Sequence, residues 1–273
     1  MNIEHLLHPI HIKKDIKQYI LDNYIDDINL CTDNLINYCN TDHWESKNNR
    51  LSQLENHQEL ILNILTTLVL IANDYIPLVN VCCAIEYPNM NKAQSIQTNA
   101  DILHCMDITD LIIWDITHDN KRIIKHGLEL PTDILSRIYH QCVLPPITYK
   151  PRKLIHNNSS ALKTVNTSKL ILGDKENYHD KCISLDVLNT LNRTAYKLDL
   201  SVCSLDTDKE HESTKEQFEY FVEYLDTQSF HFTHAVDKRG RVYSKGYHFN
   251  TQGTSFDKAC LTLAVTEYVK GDL

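Results

Sequence analysis

The chain has 273 residues and a formal net charge of −9, with 42% hydrophobic and 23% charged residues, which is typical of a soluble protein with one to three domains. The richest apolar run, residues 60–72, is shorter than the ~20 residues of a membrane span, and no signal peptide precedes it, so we expect no membrane partner. Nine cysteines without a C-x-x-C pair, and fifteen histidines without neighbouring ligands, favour a reducing cytoplasm and argue against a metal site in this chain.

The first half of the chain predicts helices. Pro9 opens an apolar pattern with helical spacing that continues to Ile28. A second long helix is predicted at about residues 49–74. The run "DLIIWDI" near residue 112 fits either a buried strand or a helix, and Thr132 can cap a short helix that ends near His140. The prolines of "VLPPITYKP" then exclude a helix, which predicts a helical N-terminal domain at residues 1–142.

The charge is unevenly distributed along the chain. Residues 1–133 carry 19 acidic and 9 basic side chains. Residues 134–173 contain no aspartate or glutamate and carry six lysines and arginines. A local positive potential attracts phosphate groups even when the net charge is negative. This acid-free window therefore predicts a phosphate-binding surface, although a solvated basic loop is an equally simple interpretation.

The C-terminal part predicts two helices, a hairpin and a last helix. Helices are expected at residues 181–197 and 214–227, with the polar linker "SLDTDKEHEST" between them. Period-two alternation at residues 230–235 then predicts a strand. The turn "DKRG" follows, with Gly240 at the position that requires a positive φ, and "RVYS" returns as the second strand. After the loop "FNTQGTS", Ser255 is expected to cap a helix at residues 256–269.

The tip of this hairpin concentrates positive charge. Lys238, Arg239 and Arg241 surround Gly240 in a chain that is acidic overall. Cationic donors at such a tip can bind phosphate oxygens, and a glycine permits close approach of the backbone. Asp237 can either hold an arginine in place or accept the turn's own backbone donors. By itself, a charged surface turn explains this pattern as well as a binding site does.

The wider sequence resembles a signature of the phage-type single-subunit RNA polymerases, the family that also transcribes mitochondria. In "HFTHAVDKRGRVYSKGYHFNTQGTSFDKACLTLA" the order is an aromatic strand, D-x-x-G-R-V-Y, F-N-x-Q-G and D-K-x-x-L-x-L-A. Two upstream stretches agree in the same order: "VLPPITY" resembles the proline-proline segment before the thumb, and "NTLNRTAYKLD" resembles the thumb motif N-T-A-W-[KR]-I-N. Departures are Lys238 in place of an aromatic residue, Thr251 in place of proline, and Tyr196 and Asp199 in place of tryptophan and asparagine.

The resemblance implies a mainly α fold with a small β-hairpin, which forms part of a right-hand polymerase that a second chain completes. The implied divisions are the N-terminal domain at 1–142, a thumb-like region at 143–212 and the start of the palm at 213–273. The family's catalytic aspartate motifs and fingers motif do not occur in this sequence. We therefore expect a partner subunit to carry them and to hold the Mg²⁺ ions, with no cofactor in this chain.

The resemblance also implies partners and contact residues for this chain. The chain would be similar to the smaller subunit of two-chain bacteriophage polymerases, and it would act in the cytoplasm of the bacterial host. The partners would be the second subunit, the DNA template, the RNA transcript, nucleoside triphosphates and a promoter-binding or single-stranded-DNA accessory factor. No catalytic or metal-binding residue is expected in this chain, and the expected nucleic-acid contacts are Asp237, Lys238, Arg239, Gly240, Arg241, Tyr243, Gln252, Lys150, Arg152, Lys153, Arg193 and Lys197.

Two other interpretations remain open at this point. A non-catalytic module that binds nucleic acid or regulates transcription could contain the same fragment. An inert, truncated remnant of a polymerase is the weakest alternative, because the motifs that are present are intact. For Tyr196, plain core packing competes with a role in the thumb.

Overall fold

A computed structural model describes residues 3–72, 74–166, 168–173, 179–205, 212–246 and 248–265. The elements up to residue 139 are α1 (Ile3–Leu7), α2 (Pro9–Asn23), α3 (Ile25–Asn40), α4 (Glu45–Leu51), α5 (His57–Ile71), β1 (Ile76–Pro77), α6 (Leu78–Ala84), α7 (Lys92–Met106), β2 (Ile112–Ile116), β3 (Arg122–His126) and α8 (Thr132–Tyr139). The elements that follow are α9 (Leu185–Arg193), β4 (Tyr196–Leu198), α10 (Leu200–Cys203), α11 (Glu212–Leu225), β5 (Thr233–Val236), β6 (Val242–Lys245), α12 (Ser255–Ala259) and β7 (Leu261–Leu263).

The fold is mainly α. About 48% of the chain is helical, and the described strands form small antiparallel groups with the orders β1-β3-β2, β4-β7 and β5-β6. The expected fold class of helices with a small hairpin is confirmed at this level. The described residues form two compact units, one of residues 9–138 and one that combines the described parts of 1–8 and 139–273. The division at 142 and 212 stays a prediction.

The unit of residues 9–138 is built around α5. This helix is apolar on most of its circumference, and it buries Ile61, Ile64, Leu65 and Leu68 among others. A helix of that kind must be covered on several sides, and α2, α3 and α7 all pack against it. The strands β2 and β3 form a hairpin, so the ambiguous run "DLIIWDI" is a strand.

The two long helices expected in this unit are each interrupted. The first pattern divides at Tyr24, whose φ of −132° and ψ of 26° are not helical, into α2 and α3. The predicted helix at residues 49–74 is wrong in its first part. There, α4 ends at Leu51, and Asn56 adopts a left-handed φ of 51° directly before α5. Asparagine tolerates this conformation better than most residues, which is why the chain can turn here without glycine.

The other unit contains two cores that meet along one strand. An aromatic cluster gathers Phe218, Phe221, Phe230, Phe232 and Phe249, with ring centroids 5.1–6.4 Å apart in the Phe218–Phe249, Phe230–Phe232 and Phe230–Phe249 pairs. A second, mostly aliphatic cluster contains Val236 at the end of the same strand, with Ile147, Leu154, Leu170 and Leu188. The stretch from Phe230 to Val236 therefore contributes buried side chains to both clusters, Phe230 and Phe232 to the first and Val236 to the second.

Two predicted helices of this unit are shorter than expected. The helix predicted at residues 181–197 is α9 followed by the strand β4. The helix predicted at 256–269 stops at Ala259, and its N-cap is Thr254, which forms a capping box with Asp257, rather than Ser255. Leu261–Leu263 is the strand β7, which pairs with β4. Helical spacing at these positions gives way to strand pairing, a tertiary effect that local sequence does not encode. Residues 266–269 lie outside the described residues.

Candidate nucleic-acid interface

The predicted hairpin is present, although its first strand begins at Thr233 rather than at Phe230, and its turn has the geometry that its sequence requires. Thr233 pairs with Lys245 and Val236 pairs with Val242 in the antiparallel register. The backbone N–H of Gly240 donates to the carbonyl of Asp237 over 2.9 Å, and Gly240 has a φ of 81°. A residue in this left-handed conformation after a tight turn aligns the return strand, which favours glycine.

One carboxylate organises this turn. Asp237 Oδ1 accepts the backbone N–H groups of Arg239 and Arg241, both over 2.9 Å. Its Oδ2 accepts Arg241 Nε over 2.7 Å and the hydroxyl of Tyr243 over 3.2 Å. Desolvation raises the pKa of Asp237, but the hydrogen bonds from the backbone and side chain of Arg241 and from Tyr243 outweigh it, so the net pKa is lowered. Both roles considered for Asp237 are therefore fulfilled at once.

The cationic side chains of the turn extend into solvent. The side chain of Arg239 is 73% exposed and that of Arg241 is 56% exposed, and Lys238 is exposed as well. Arg241 donates through Nε to Asp237, and hydrogen bonds to the side chains of Asp237 and Tyr243 raise its pKa. Its guanidinium carbon lies 5.8 Å from the ring centroid of Tyr243. The guanidinium is thus oriented by two side chains while more than half of the Arg241 side chain remains exposed to a ligand.

The F-N-x-Q-G loop covers the outer edge of β6 with side-chain amides. Gln252 Oε1 accepts the N–H of Ser244 over 2.9 Å, and Gln252 Nε2 donates to the carbonyl of Val242 over 2.9 Å. Asn250 Nδ2 donates to the carbonyl of Ser244 over 3.2 Å. These side chains act like a neighbouring strand, so in the described residues Gln252 holds the loop on the hairpin. Its expected contact with nucleic acid stays a prediction.

The three stretches of the polymerase resemblance meet along one segment, which we call the junction strand (residues 230–236). Phe230 bridges to Tyr196, and His231 bridges to Ile147. At the other end, Val236 accepts Leu172 N–H and donates to the carbonyl of Leu170, both over 2.8 Å. The proline-rich segment, the thumb-like segment and the hairpin are therefore joined by backbone hydrogen bonds, although they lie far apart in sequence.

The expected basic contacts lie at both ends of the junction strand. Lys150, Arg152, Lys153, Arg193 and Lys197 are all exposed, and they belong to the segments that bridge at Phe230 and His231. The turn begins at residue 237, about six residues further along. At ~3.3 Å per residue this separation is roughly 20 Å. The predicted nucleic-acid contacts therefore do not all lie at one point. They lie near the two ends of the junction strand.

A buried glutamate that the sequence analysis missed fixes the acid-free window. Glu4 in α1 is completely buried, and its carboxylate accepts the N–H of Thr164 over 2.8 Å and the N–H of Lys163 over 3.3 Å. The hydroxyls of Tyr149 and Thr164 also donate to it. The window lacks carboxylates of its own, so its backbone donors are satisfied by a residue ~160 positions away in sequence. No local sequence signal marks Glu4 for this role.

A neutral histidine lies beneath the hairpin. His234 on β5 is 4% exposed, and its Nδ1 lies 2.9 Å from Oδ1 of Asn192. Burial lowers the pKa of His234 to about 4. Because Asn192 Oδ1 can only accept, the proton of the neutral ring belongs on Nδ1. Tyr196, the residue at the family's tryptophan position, packs on Phe232 with ring centroids 5.3 Å apart, which fits the core-packing interpretation.

The described residues lack two kinds of feature. In the ranges described, three or more histidine, cysteine or acidic side chains do not come together in a way that could hold a metal ion. None of the described helices combines the length and the apolar composition needed to cross a membrane.

Comparison with known proteins adds no relative to this description. No protein-family model matches the chain, and no curated protein matches it at a significant level.

Proposed function

We propose that this chain is the non-catalytic subunit of a two-chain, phage-type DNA-directed RNA polymerase. It would grip the template strand and the RNA–DNA hybrid, while a second chain carries the metal-binding aspartates and the fingers. The observation that carries the proposal is the D-x-x-G-R turn, where Asp237 fixes Arg241 and more than half of the arginine side chain stays exposed. A guanidinium held in this way is suited to a phosphate oxygen.

The arrangement around the turn supports the same proposal. The segments that resemble the thumb, the proline-rich stretch and the palm hairpin are distant in sequence and are hydrogen-bonded along the junction strand. A polymerase needs these parts as one body, since the hybrid must be held close to the site of nucleotide addition. The substrates would be nucleoside triphosphates, with Mg²⁺ held by the second chain, and the site of action would be the cytoplasm of the bacterial host.

The test is reconstitution with a second chain. A neighbouring reading frame that carries the missing aspartate motifs should be co-expressed with this chain, and RNA synthesis should be measured on a preformed RNA–DNA scaffold. We expect extension only when both chains are present. Extension by the second chain alone, or no extension and no association of the two chains, would contradict the proposal.

A non-catalytic module that binds nucleic acid or regulates transcription is the second candidate. It is favoured by the exposed arginines of the turn, since cationic side chains contact phosphates without any catalytic partner. The same reconstitution separates the two candidates. A regulatory module would bind the scaffold alone and change transcription by an unrelated polymerase, without associating with a chain that carries the catalytic aspartates.

A further inference from the structure

Trp44 is the most exposed large hydrophobic side chain in the described residues, at 74%. It directly precedes α4, and its carbonyl accepts the N–H groups of Lys47 and Asn48 over 2.9 and 3.1 Å. The backbone that carries the ring is therefore fixed by the first turn of the helix. Single exposed apolar residues are common on protein surfaces, so Trp44 alone would indicate nothing.

The ring lies at the edge of an open groove of about 470 Å³ between α4 and α7. Besides Trp44, the groove is lined by Lys47, Arg50, Gln94, Gln97 and Asp101. Charged and amide side chains supply most of the lining residues, although apolar atoms make up more of the lined surface than polar atoms do, and the buried centre of a protein–protein interface is depleted of charged residues. The groove is thus better suited to a small polar ring system than to an apolar side chain of a protein partner.

The floor of the groove is a rigid charged network. Arg50 Nη2 lies 2.6 Å from Asp101 Oδ2, and Lys47 Nζ lies 3.1 Å from Asp101 Oδ1. Arg50 Nη1 also donates to Thr98 Oγ1 over 2.8 Å. Two cations face one carboxylate, so the groove carries a local excess of one positive charge within the acidic first half of the chain. Lys47 Nζ lies over the Trp44 ring, 5.9 Å from its centroid, and the Lys47 side chain is 14% exposed.

Unused hydrogen-bonding groups line the same groove. Gln94 uses Oε1 to accept the N–H of Asn91, which leaves its amide N–H₂ group available. Gln97 is exposed, and its side-chain amide has no hydrogen-bond partner among the described residues. Glutamine amides match the donor and acceptor edges of nucleobases, and exposed tryptophan rings are platforms on which bases stack.

We infer that the groove beside Trp44 binds a nucleobase, stacked on the indole, with its edge at Gln94 and Gln97 and an adjoining phosphate near Lys47. The base could come from a single-stranded nucleic acid or from a free nucleotide. The inference does not rest on the proposed polymerase function, because the residues that line the groove, 44–101, include none of the stretches that resemble the polymerase family.

Tryptophan fluorescence tests this directly in the full-length chain. The chain has two tryptophans, so Trp114→Phe leaves Trp44 as the single reporter. This variant is titrated separately with a single-stranded oligonucleotide, a nucleoside monophosphate and inorganic phosphate. We expect quenching by the first two and none by phosphate. Quenching by the oligonucleotide only would identify a strand site, and comparable quenching by the monophosphate would identify a nucleotide site. Quenching by phosphate, or by none of the three, would overturn the inference.

Variants then separate stacking from a general effect on the fold. In calorimetric titration with the ligand that quenches best, Trp44→Ala should weaken binding on the order of tenfold or more, and Trp44→Phe should retain part of it. Gln97→Ala should weaken binding by a smaller factor. Ile116→Ala is the matched control, because Ile116 is also a large exposed side chain, at 62%, in the same unit. Equal losses in Trp44→Ala and Ile116→Ala would contradict a stacking site.

Discussion

At the residue scale, Asp237 offsets the repulsion between the cations of the turn and stabilises the turn itself. Its carboxylate accepts two backbone donors, Arg241 Nε and the Tyr243 hydroxyl. The like charges of Arg239 and Arg241 are therefore held beside a counter-charge, while both side chains stay more than half exposed. A simple surface turn would need only the backbone contacts. The additional hydrogen bond from Arg241 Nε to Asp237 fixes the orientation of the guanidinium, and substitutions of Arg241 can test whether that orientation matters.

Arg241→Ala should weaken binding of the two-chain enzyme to a scaffold of template and RNA primer. Because one phosphate contact is lost, the slope of log affinity against log salt should decrease by roughly 0.7–0.9. Arg241→Lys should rescue only part of the binding, since lysine keeps the charge but loses the planar fork. The measurement is binding and primer extension across a salt series, with the exposed Arg122→Ala as control. Wild-type behaviour of Arg241→Ala at every salt concentration would show that the turn is only a surface hairpin.

Substitutions of Gly240 distinguish two effects: backbone strain, which lowers stability, and crowding by a side chain, which would weaken the binding of nucleic acid. A Cβ atom at Gly240 would meet no atom of the chain within 4 Å, so only the φ of 81° opposes the substitution. We expect a loss of about 1 kcal/mol in the free energy of unfolding, measured by denaturant titration. Gly240→Asn should recover most of this stability, because asparagine tolerates a positive φ. If close approach to nucleic acid matters, Asn will restore stability without restoring scaffold binding.

His234 should make the free energy of unfolding depend on pH. Its pKa is about 4 in the folded chain, whereas an unfolded histidine has a pKa of about 6.5. Between these values the unfolded state binds more protons, so stability decreases as the pH falls through this window. The contribution of His234 should be about 2 kcal/mol smaller at about pH 5 than at about pH 7.

Denaturant titrations at both pH values measure this loss. His234→Gln should reduce the pH dependence, but it should not abolish it, because burial also lowers the pKa values of His126 and His231. His118→Gln, an exposed histidine in the turn between β2 and β3, is the control. An unchanged pH dependence in His234→Gln would mean that the buried ring does not titrate as proposed.

At the element scale, α1 is an anchor for the acid-free window. Glu4→Ala would leave the N–H of Thr164 and the hydroxyls of Tyr149 and Thr164 without their shared acceptor, so we expect a loss of roughly 3 kcal/mol in the free energy of unfolding. Glu223→Ala, an exposed glutamate on α11 in the same unit, should change stability little. Denaturant titration of the three proteins measures the difference. Similar stability of both variants would show that Glu4 does not anchor the window.

The sequence predicted the elements whose signals are local and missed those that depend on distant partners. The positive φ at Gly240 and the alternation before it define the hairpin, and the prolines after residue 144 exclude a helix there. In contrast, β7 exists because β4 lies beside it, and no pattern in "LTL" alone separates this strand from a helix. From the sequence alone, Glu4 would be predicted to be an ordinary exposed glutamate in a short helix. Its role as the acceptor for the window requires knowledge of which segments meet.

The same division holds for the candidate site. The sequence predicted that Asp237 could hold an arginine of the turn, and Asp237 does bind Arg241, whereas the binding of nucleic acid by these residues stays a prediction. The use of Gln252 and Asn250 as a substitute strand along β6 could not be derived from their spacing. These amides give the N-x-Q loop a structural role in this hairpin. They satisfy edge groups that would otherwise be open to pairing with another chain.

At the scale of the whole molecule, the described residues of the unit that contains the hairpin leave apolar surface and one strand edge uncovered. Among the described residues, β7 pairs only with β4. Leu263 on β7 is 54% exposed, Val265 is 71% exposed, and Leu205 is 60% exposed. An open edge beside exposed apolar side chains promotes association with another chain. The proposed second subunit would cover this surface.

The last prediction is therefore obligate pairing. We expect the chain to elute together with the second subunit in size-exclusion chromatography, with a total buried area above ~2,000 Å², and to self-associate when it is expressed alone. Leu263→Asp should weaken the pairing, because a charge would enter the centre of the covered surface. Ile116→Asp introduces the same charge at an equally exposed strand position in the other unit, and it should leave pairing intact. A monomer that ignores the second chain would refute the pairing, whereas equal effects of the two aspartates would leave pairing in place but exclude β7 from the interface.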